Sequence, residues 1–522
     1  MAVLGLHTAV ERGGDSTEEK DLAIETKEVG HSAAGRTSAY DKQSGLFARV
    51  QDLTGRFGIE QRGIERVLPS ERTDTSVSKI GTLWMSANIT VSTFALGALA
   101  QPVFGLGFVD SALTIVCINA LGVLPACFFS TFGPRFGLRQ MVLSRFFFGY
   151  YGVKLIAIFN ILACVGWSSV NVIVGAQLLA AINPGPHALP GWAGILIISL
   201  STLFITTFGY RIVHAYERWS WIPVLVIFCI VAGEFGVSGK FDALLPLETG
   251  KSEAGLVLSF AASVFGFATG WTALAADYAV YQPETRSARQ IFWWSFGGLF
   301  FSLVFTELLG AAVMTASALD DDVANAYDTN HIGGVLAIVL VPRLGAFGRF
   351  CLAVLALSIV ANNCPNIYSV SLSLQVLARQ TQRIPRFVWP AVATAIYVAI
   401  SVPGYSRFEE VLENFMLLIG YWLAVYEGIS LTEHFVFRRT SGYAVEDYAT
   451  PGRLPPGYSP LCAFLVGAAG AVLGMAQSWF VGPIGRLCGD EFGGDVGFEL
   501  AFGFSAVAYL VLRSVERNWF KR

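Results

Sequence analysis

The feature that most constrains this chain is a succession of apolar runs, each about as long as a bilayer is thick. A membrane helix needs ~20 consecutive, mostly apolar residues. Twelve such runs follow one another, at 81–101, 111–132, 150–182, 191–209, 217–237, 255–280, 291–315, 345–378, 387–402, 408–431, 459–481 and 497–513. Hydrocarbon offers backbone groups no water, so each run must pair its own N–H and C=O groups as a helix. The expected fold is all-α and integral to a membrane, with twelve transmembrane helices. The third and eighth runs exceed a straight span and should tilt or project from the bilayer. Charged residues are 14% of the 522, against roughly 25% in soluble domains. With a mean hydropathy of +0.56, a set of soluble domains is excluded.

Residues 1–79 read as a cytoplasmic tail, largely disordered. Within it Leu46, Phe47, Val50, Leu53 and Phe57 have helical spacing, with Arg49, Asp52 and Arg56 between. That pattern fits a short amphipathic segment on the inner membrane face; a weakly structured tail is the alternative. No basic-then-apolar signal peptide opens the chain. Loop charges orient the spans. One set of alternate loops holds thirteen Arg, among them Arg135, Arg139, Arg286, Arg383 and Arg438, whereas the opposite set holds five basic residues. The positive-inside rule makes the first set cytoplasmic. Both termini are then cytoplasmic, with 433–458 an inner loop and 514–522 a short inner C-terminus. Tail residues Lys20, Lys27 and Lys42 are candidate acceptors for ubiquitin.

Several function classes drop out. A net charge of -3 speaks against nucleic acid, which demands a basic surface. Seven of the eight Cys lie in apolar runs and read as buried small hydrophobes rather than a disulfide framework. The six His sit in the tail, loops or span ends, so a membrane metalloprotease is poorly supported and no metal or cofactor is expected. There is no Walker loop and no potassium-filter sequence. A multi-pass secondary transporter survives, and an enzyme does not.

Polar groups inside spans are costly and therefore informative. The first span carries Trp84, Ser86, Asn88, Thr90, Ser92 and Thr93. The sixth carries Gly266, Thr269, Gly270, Trp271, Thr272 and Asp277. Spans one and six are five apart, as a five-helix repeat requires, and broken helices at matching places point to a transporter site. Close GxxxG-type packing also explains the glycines. In the third span Trp167, Asn171 and Val174 share one face. The eighth span reads Ala361-Asn362-Asn363-Cys364-Pro365-Asn366-Ile367-Tyr368. Pro365 cannot donate to the carbonyl of Ala361. Asn362 and Asn366 share a face, and Asn363 points about 100° away. Amides present both donor and acceptor, which suits a nucleobase edge; interhelical bonding is the structural alternative.

These motifs resemble the fungal purine-cytosine permeases of the nucleobase:cation symporter-1 family. The resemblance rests on Ser86-Ala87-Asn88, Gly166-Trp167 with Asn171, Gly270-Trp271 through Tyr278, and the Asn362–Tyr368 run, together with Gly63-Ile64-Glu65-Arg66-Val67 before the membrane. It covers about residues 58–515. It implies a LeuT-like five-plus-five inverted repeat at 80–432, two additional helices at 459–513, and proton-coupled import of cytosine and purines at the plasma membrane. It also implies that Trp167 and Trp271 sandwich the base. Edge contacts then fall to Asn362 and Asn366, with Asn171, Ser86, Asn88 and Asn363 nearby and Pro365 shaping the helix. Proton-coupling candidates are Asp277, Glu217, Glu307 and, near a span end, Glu234. Sodium is not excluded, because Ser369, Ser371 and Ser373 follow the Asn cluster. Two alternatives stay open: an importer of vitamin B6 or another N-heterocycle, and a transport-inactive nutrient sensor.

Overall fold

The structure is a computed structural model that describes residues 62–520 apart from residue 209 and residues 244–248. The amphipathic segment at 46–57 and the three tail lysines lie outside the described residues. Ten helical segments among the described residues are long and apolar enough to cross a membrane, and they match ten of the twelve expected runs. The first and eleventh runs differ, each for a local reason.

The first run is two helices, α1 (Ser78–Asn88) and α2 (Val91–Ala98). Between them Ile89 and Thr90 leave helical geometry, Thr90 being fully extended at φ -141°, ψ 163°. Such a break survives at membrane depth only where protein surrounds it. Asn88, Ile89 and Thr90 are fully buried. The amide of Asn362 donates to the freed Ala87 carbonyl at 2.5 Å, and the Ser358 hydroxyl accepts from Val91 N at 3.3 Å.

The next spans are α3 (Phe108–Ser130), α4 (Arg145–Ala181), α5 (Gly191–Phe208) and α6 (Trp221–Ser238). Inside α4, Gly149 takes φ 75°, so the straight helix begins near residue 150, as the apolar run indicated. A side chain at Gly149 would also collide with the Pro455 carbonyl at 2.4 Å. Then comes α7 (Lys251–Thr269), which tightens into a 3₁₀ segment over Gly270–Tyr278. After α8 (Ala288–Met314), a helix that the apolar pattern did not announce, α9 (Asp321–Leu344), fills the loop. Its polar first half, opened by an Asp320 cap on Asp322 N at 2.9 Å, hides it from a hydropathy reading. It bends at Asn330–His331, where Asn330 donates to the Gln177 carbonyl of α4 at 3.0 Å.

The remaining spans are α10 (Ala346–Leu377), α11 (Val388–Gly404), α12 (Phe408–Thr432), α13 (Tyr458–Gly474) and α14 (Gly497–Phe520). The eleventh run stops early because a two-residue hairpin, Ala476–Gln477 with Phe480–Val481, turns the chain. Small residues set the helix spacing. A Cβ on Gly97 would lie 1.9 Å from the Glu307 carbonyl, and one on Gly310 would lie 2.1 Å from that of Phe94. So α2 and α8 touch backbone to backbone, the contact that small residues permit in membranes.

Asp495 clasps the end of the C-terminal pair. Its carboxyl accepts from the Tyr421 hydroxyl, from Ala476 N at 2.7 Å and from Gly497 N at 2.9 Å. Burial pushes this acid up to about 6, against those three hydrogen bonds. Because the folded chain holds the proton more tightly than the unfolded one, stability falls as pH rises between about 4 and 6 and levels off above. Asp495→Asn should remove that loss, worth at most about 3 kcal/mol. The measurement is thermal unfolding of the detergent-purified protein across pH 4–7, wild type minus variant; a pH-independent difference rules the assignment out.

Candidate substrate site

Two interruptions face each other inside the bundle, at Asn88–Thr90 and at Thr269–Gly270, and one side chain ties them. Asn88 donates to the Trp84 carbonyl at 2.9 Å and accepts from the Trp271 indole N–H at 3.0 Å. The Trp84 and Trp271 rings meet edge to face at 5.4 Å, a favoured aromatic geometry. Gly266, a turn before the break, lets α7 meet α12, since a Cβ there would lie 2.4 Å from the Met416 carbonyl.

From the other side α4 and α10 supply the polar wall. Asn171 donates to the side-chain oxygens of Asn362 at 2.6 Å and Asn363 at 2.8 Å. Asn362 in turn donates to Ala87. Asn366 gives one N–H to the Asn362 backbone carbonyl at 3.2 Å, which leaves a second N–H and the oxygen for a ligand. Trp167 is held edge-on by Phe267 at 5.0 Å and Phe415 at 5.2 Å.

These groups enclose a cavity lined by Trp167, Phe267, Gly270, Trp271, Asn362 and Asn366. Its volume is about 20 Å³, enough for a water molecule but not for a heteroaromatic ring. Admitting one requires the lining to move apart. Four expected residues, Trp167, Trp271, Asn362 and Asn366, line the space. Asn171 and Asn363 stand one layer behind, and Asn88 backs Trp271. Pro365 is buried within α10. Ser86 is elsewhere: its hydroxyl donates to the Glu217 backbone carbonyl and accepts from Ser220 at 3.0 Å. Phe267 was not anticipated, although its position four residues before Trp271 puts both on one helical face.

The acids are distributed differently from expectation. Asp277 ends a 3₁₀ segment, where the dipole disfavours a carboxylate. Its carboxyl, however, accepts from Gln140 N at 2.7 Å, at the start of a short helical turn over Gln140–Leu143. Glu307 accepts from Asn119 at 2.6 Å. Glu217 is fully buried, and its carboxyl meets no hydrogen-bond partner among the described residues. Ser369 and Ser373 both receive Asn160, at 3.0 and 2.8 Å, and Ser371 donates back to Ile367 at 2.9 Å. These serines thus link α4 to α10 and bond within α10. Among the described residues no cluster of three His, Cys, Asp or Glu is spaced to hold a metal.

Residues 67–482 match a family described as permeases for cytosine/purines, uracil, thiamine and allantoin. The chain belongs to this family. Among its relatives is the purine-cytosine permease fcyB of Emericella nidulans, 53% identical over 94% of each chain. The Saccharomyces cerevisiae purine-cytosine permease FCY2 is 45% identical over 89% of this chain and 87% of its own. The fold is that of Mhp1, a nucleobase-cation-symport-1 transporter solved closed around bromovinylhydantoin. The two align with a TM-score of 0.67 at 15% identity, covering 88% of this chain and 95% of that one. This permease is thus an integral membrane transporter and not an enzyme.

The amide lattice should contribute to stability, because its bonds join α1, α4 and α10. Asn171→Leu strands two side-chain carbonyls and is expected to cost about 1–3 kcal/mol. Asn366→Leu, which breaks only a bond within its own helix, should cost less than half as much. Thermal unfolding in detergent ranks the two, and equal losses would contradict the lattice.

Proposed function

We propose that this permease imports cytosine and purines, namely adenine, guanine and hypoxanthine, across the plasma membrane by proton symport. The carrying observation is that Trp167, Trp271, Asn362 and Asn366, drawn from three separate helices, line one cavity. A flat heteroaromatic ring gains about 1–3 kcal/mol from each aromatic stacking partner, and amides read its edge. The site holds no ionised group, which suits a neutral substrate. Its near relatives are purine-cytosine permeases, which supports the same substrate class.

The wider reading keeps twelve spans, with the broken α1–α2 pair as the first and α13 as the eleventh. Residues 80–432 form a five-plus-five inverted repeat, the helices at 459–513 are added to it, and both termini are cytoplasmic. The paired breaks in the first and sixth spans support the repeat. Asp277, Glu217 and Glu307 are the proton-coupling candidates among the expected acids. Glu217 comes first among them, since Asp277 and Glu307 are already engaged by hydrogen bonds. The tail lysines would serve ubiquitin-linked turnover.

A vitamin B6 substrate is the second reading, because the vitamin B6 transporter TPN1 of Saccharomyces cerevisiae is 30% identical over 98% of both chains. Uptake of radiolabelled cytosine in cells lacking their own permease tests both. Trp271→Ala and Asn366→Ala should each lower uptake at least 100-fold with surface abundance retained. Unlabelled adenine should compete and pyridoxine should not. Normal uptake in both variants sinks the site, and competition by pyridoxine alone favours the second reading.

A further inference from the structure

One buried acid has no place in the site described so far. Glu427 of α12 is 1% exposed, and its carboxyl accepts from the hydroxyl of Thr269, the last residue of α7. Gly270 and Trp271, both lining the cavity, come next in the chain. The Thr272 hydroxyl also faces the carboxyl, 3.3 Å from that of Thr269. Here α7 and α12 are in backbone contact, a Cβ on Gly420 falling 3.4 Å from the Gly266 Cα. The Glu427–Thr269 bond is thus a polar link between α12 and the hinge that carries Trp271.

Among the described residues, Glu427 is bonded to hydroxyls and to no basic side chain. It also lines a second cavity, of about 580 Å³, walled mostly by Leu and Phe. From α14 the only titratable group there is another acid, Glu499. The lining residues of α3 and α8, among them Leu124, Phe128 and Phe292, are apolar. From α7 and its 3₁₀ extension come the Phe265 ring and the Thr269 and Thr272 hydroxyls. On its own helix the neighbouring Tyr426 hydroxyl is taken by Gln140 and Ser144, each at 2.8 Å, and His434 packs on Phe128 at the far end. Burying an unpaired carboxylate costs several kcal/mol. With no basic partner among the described residues, a proton is the cation that relieves it.

We infer that Glu427 is a positioning residue for the substrate: ionised, it draws in Thr269 and keeps the Trp271 hinge tight; protonated, it lets the hinge relax and the cavity open. A charge-assisted hydrogen bond is about twice as strong as a neutral one, which supplies the difference between the two states. The inference rests on Trp271 being a wall of the base cavity. It makes base binding favour low pH, by an element separate from the cavity lining.

Cytosine binding to the purified full chain, followed from pH 6 to 9.5 because burial without a counter-ion favours the protonated acid, tests it. Wild type should bind roughly tenfold more tightly at the acid end, the size of one charge-assisted bond. Glu427→Gln should bind tightly with no pH slope. Thr269→Val, which removes the same contact from the other side, should also be flat and decides the matter if the first variant does not fold. A flat wild type, or a wild-type slope in the variant that folds, overturns the inference. Trp271→Ala run alongside separates the two levels, since binding unchanged in that variant sinks the base site itself whatever Glu427 does.

Discussion

A backbone group cut loose from its helix inside a membrane must find a partner in the protein, because lipid supplies none. The interior of this permease is organised around that requirement. The break after Asn88 frees the Ala87 carbonyl, and Asn362 from α10 takes it. Asn362 is then held by Asn171 from α4. The second break, at Gly270, places Trp271, whose N–H is received by Asn88. One chain of hydrogen bonds thus runs from α4 through α10 and α1 to the 3₁₀ segment. The cavity is the space that this chain encloses.

The same economy explains why amides dominate. An Asn both donates and accepts, so it can satisfy a stray carbonyl and still present an oxygen. A carboxylate in the same place would need a counter-ion. Asp277, Glu307 and Glu427 sit outside the cavity lining instead, each against hydroxyl, amide or backbone donors, Glu217 has no described hydrogen-bond partner, and Glu433 and Glu516 pair with arginines. That separation leaves the cavity lining without an acid.

Much of this was legible in the order of residues. Hydropathy located ten spans to within a few residues at most ends, and the start of the straight part of α4 agreed because Gly149 interrupts the helix there. Residue type marked Trp167, Trp271, Asn362 and Asn366 among the polar groups of the spans, and the family resemblance made them candidate site residues. What escaped was partnership. Ser86 reads like a site residue but is spent on Glu217 and Ser220. Asp277 was a candidate acid whose partner, the Gln140 amide, lies 137 residues away. Glu427 drew no attention because Thr269, its partner, lies 158 residues away, and α9 was hidden by its polar first half.

The sequence by itself determined the solvent of this protein, the number of apolar runs and the polar residue types that could not be left facing lipid. Those follow from transfer free energies that each residue carries wherever it lies. The tertiary structure alone decided which polar groups face a ligand and which face each other. That depends on distances between helices far apart in the chain, and a hydrogen bond of 2.6 Å between Asn171 and Asn362 has no signature in the spacing of either.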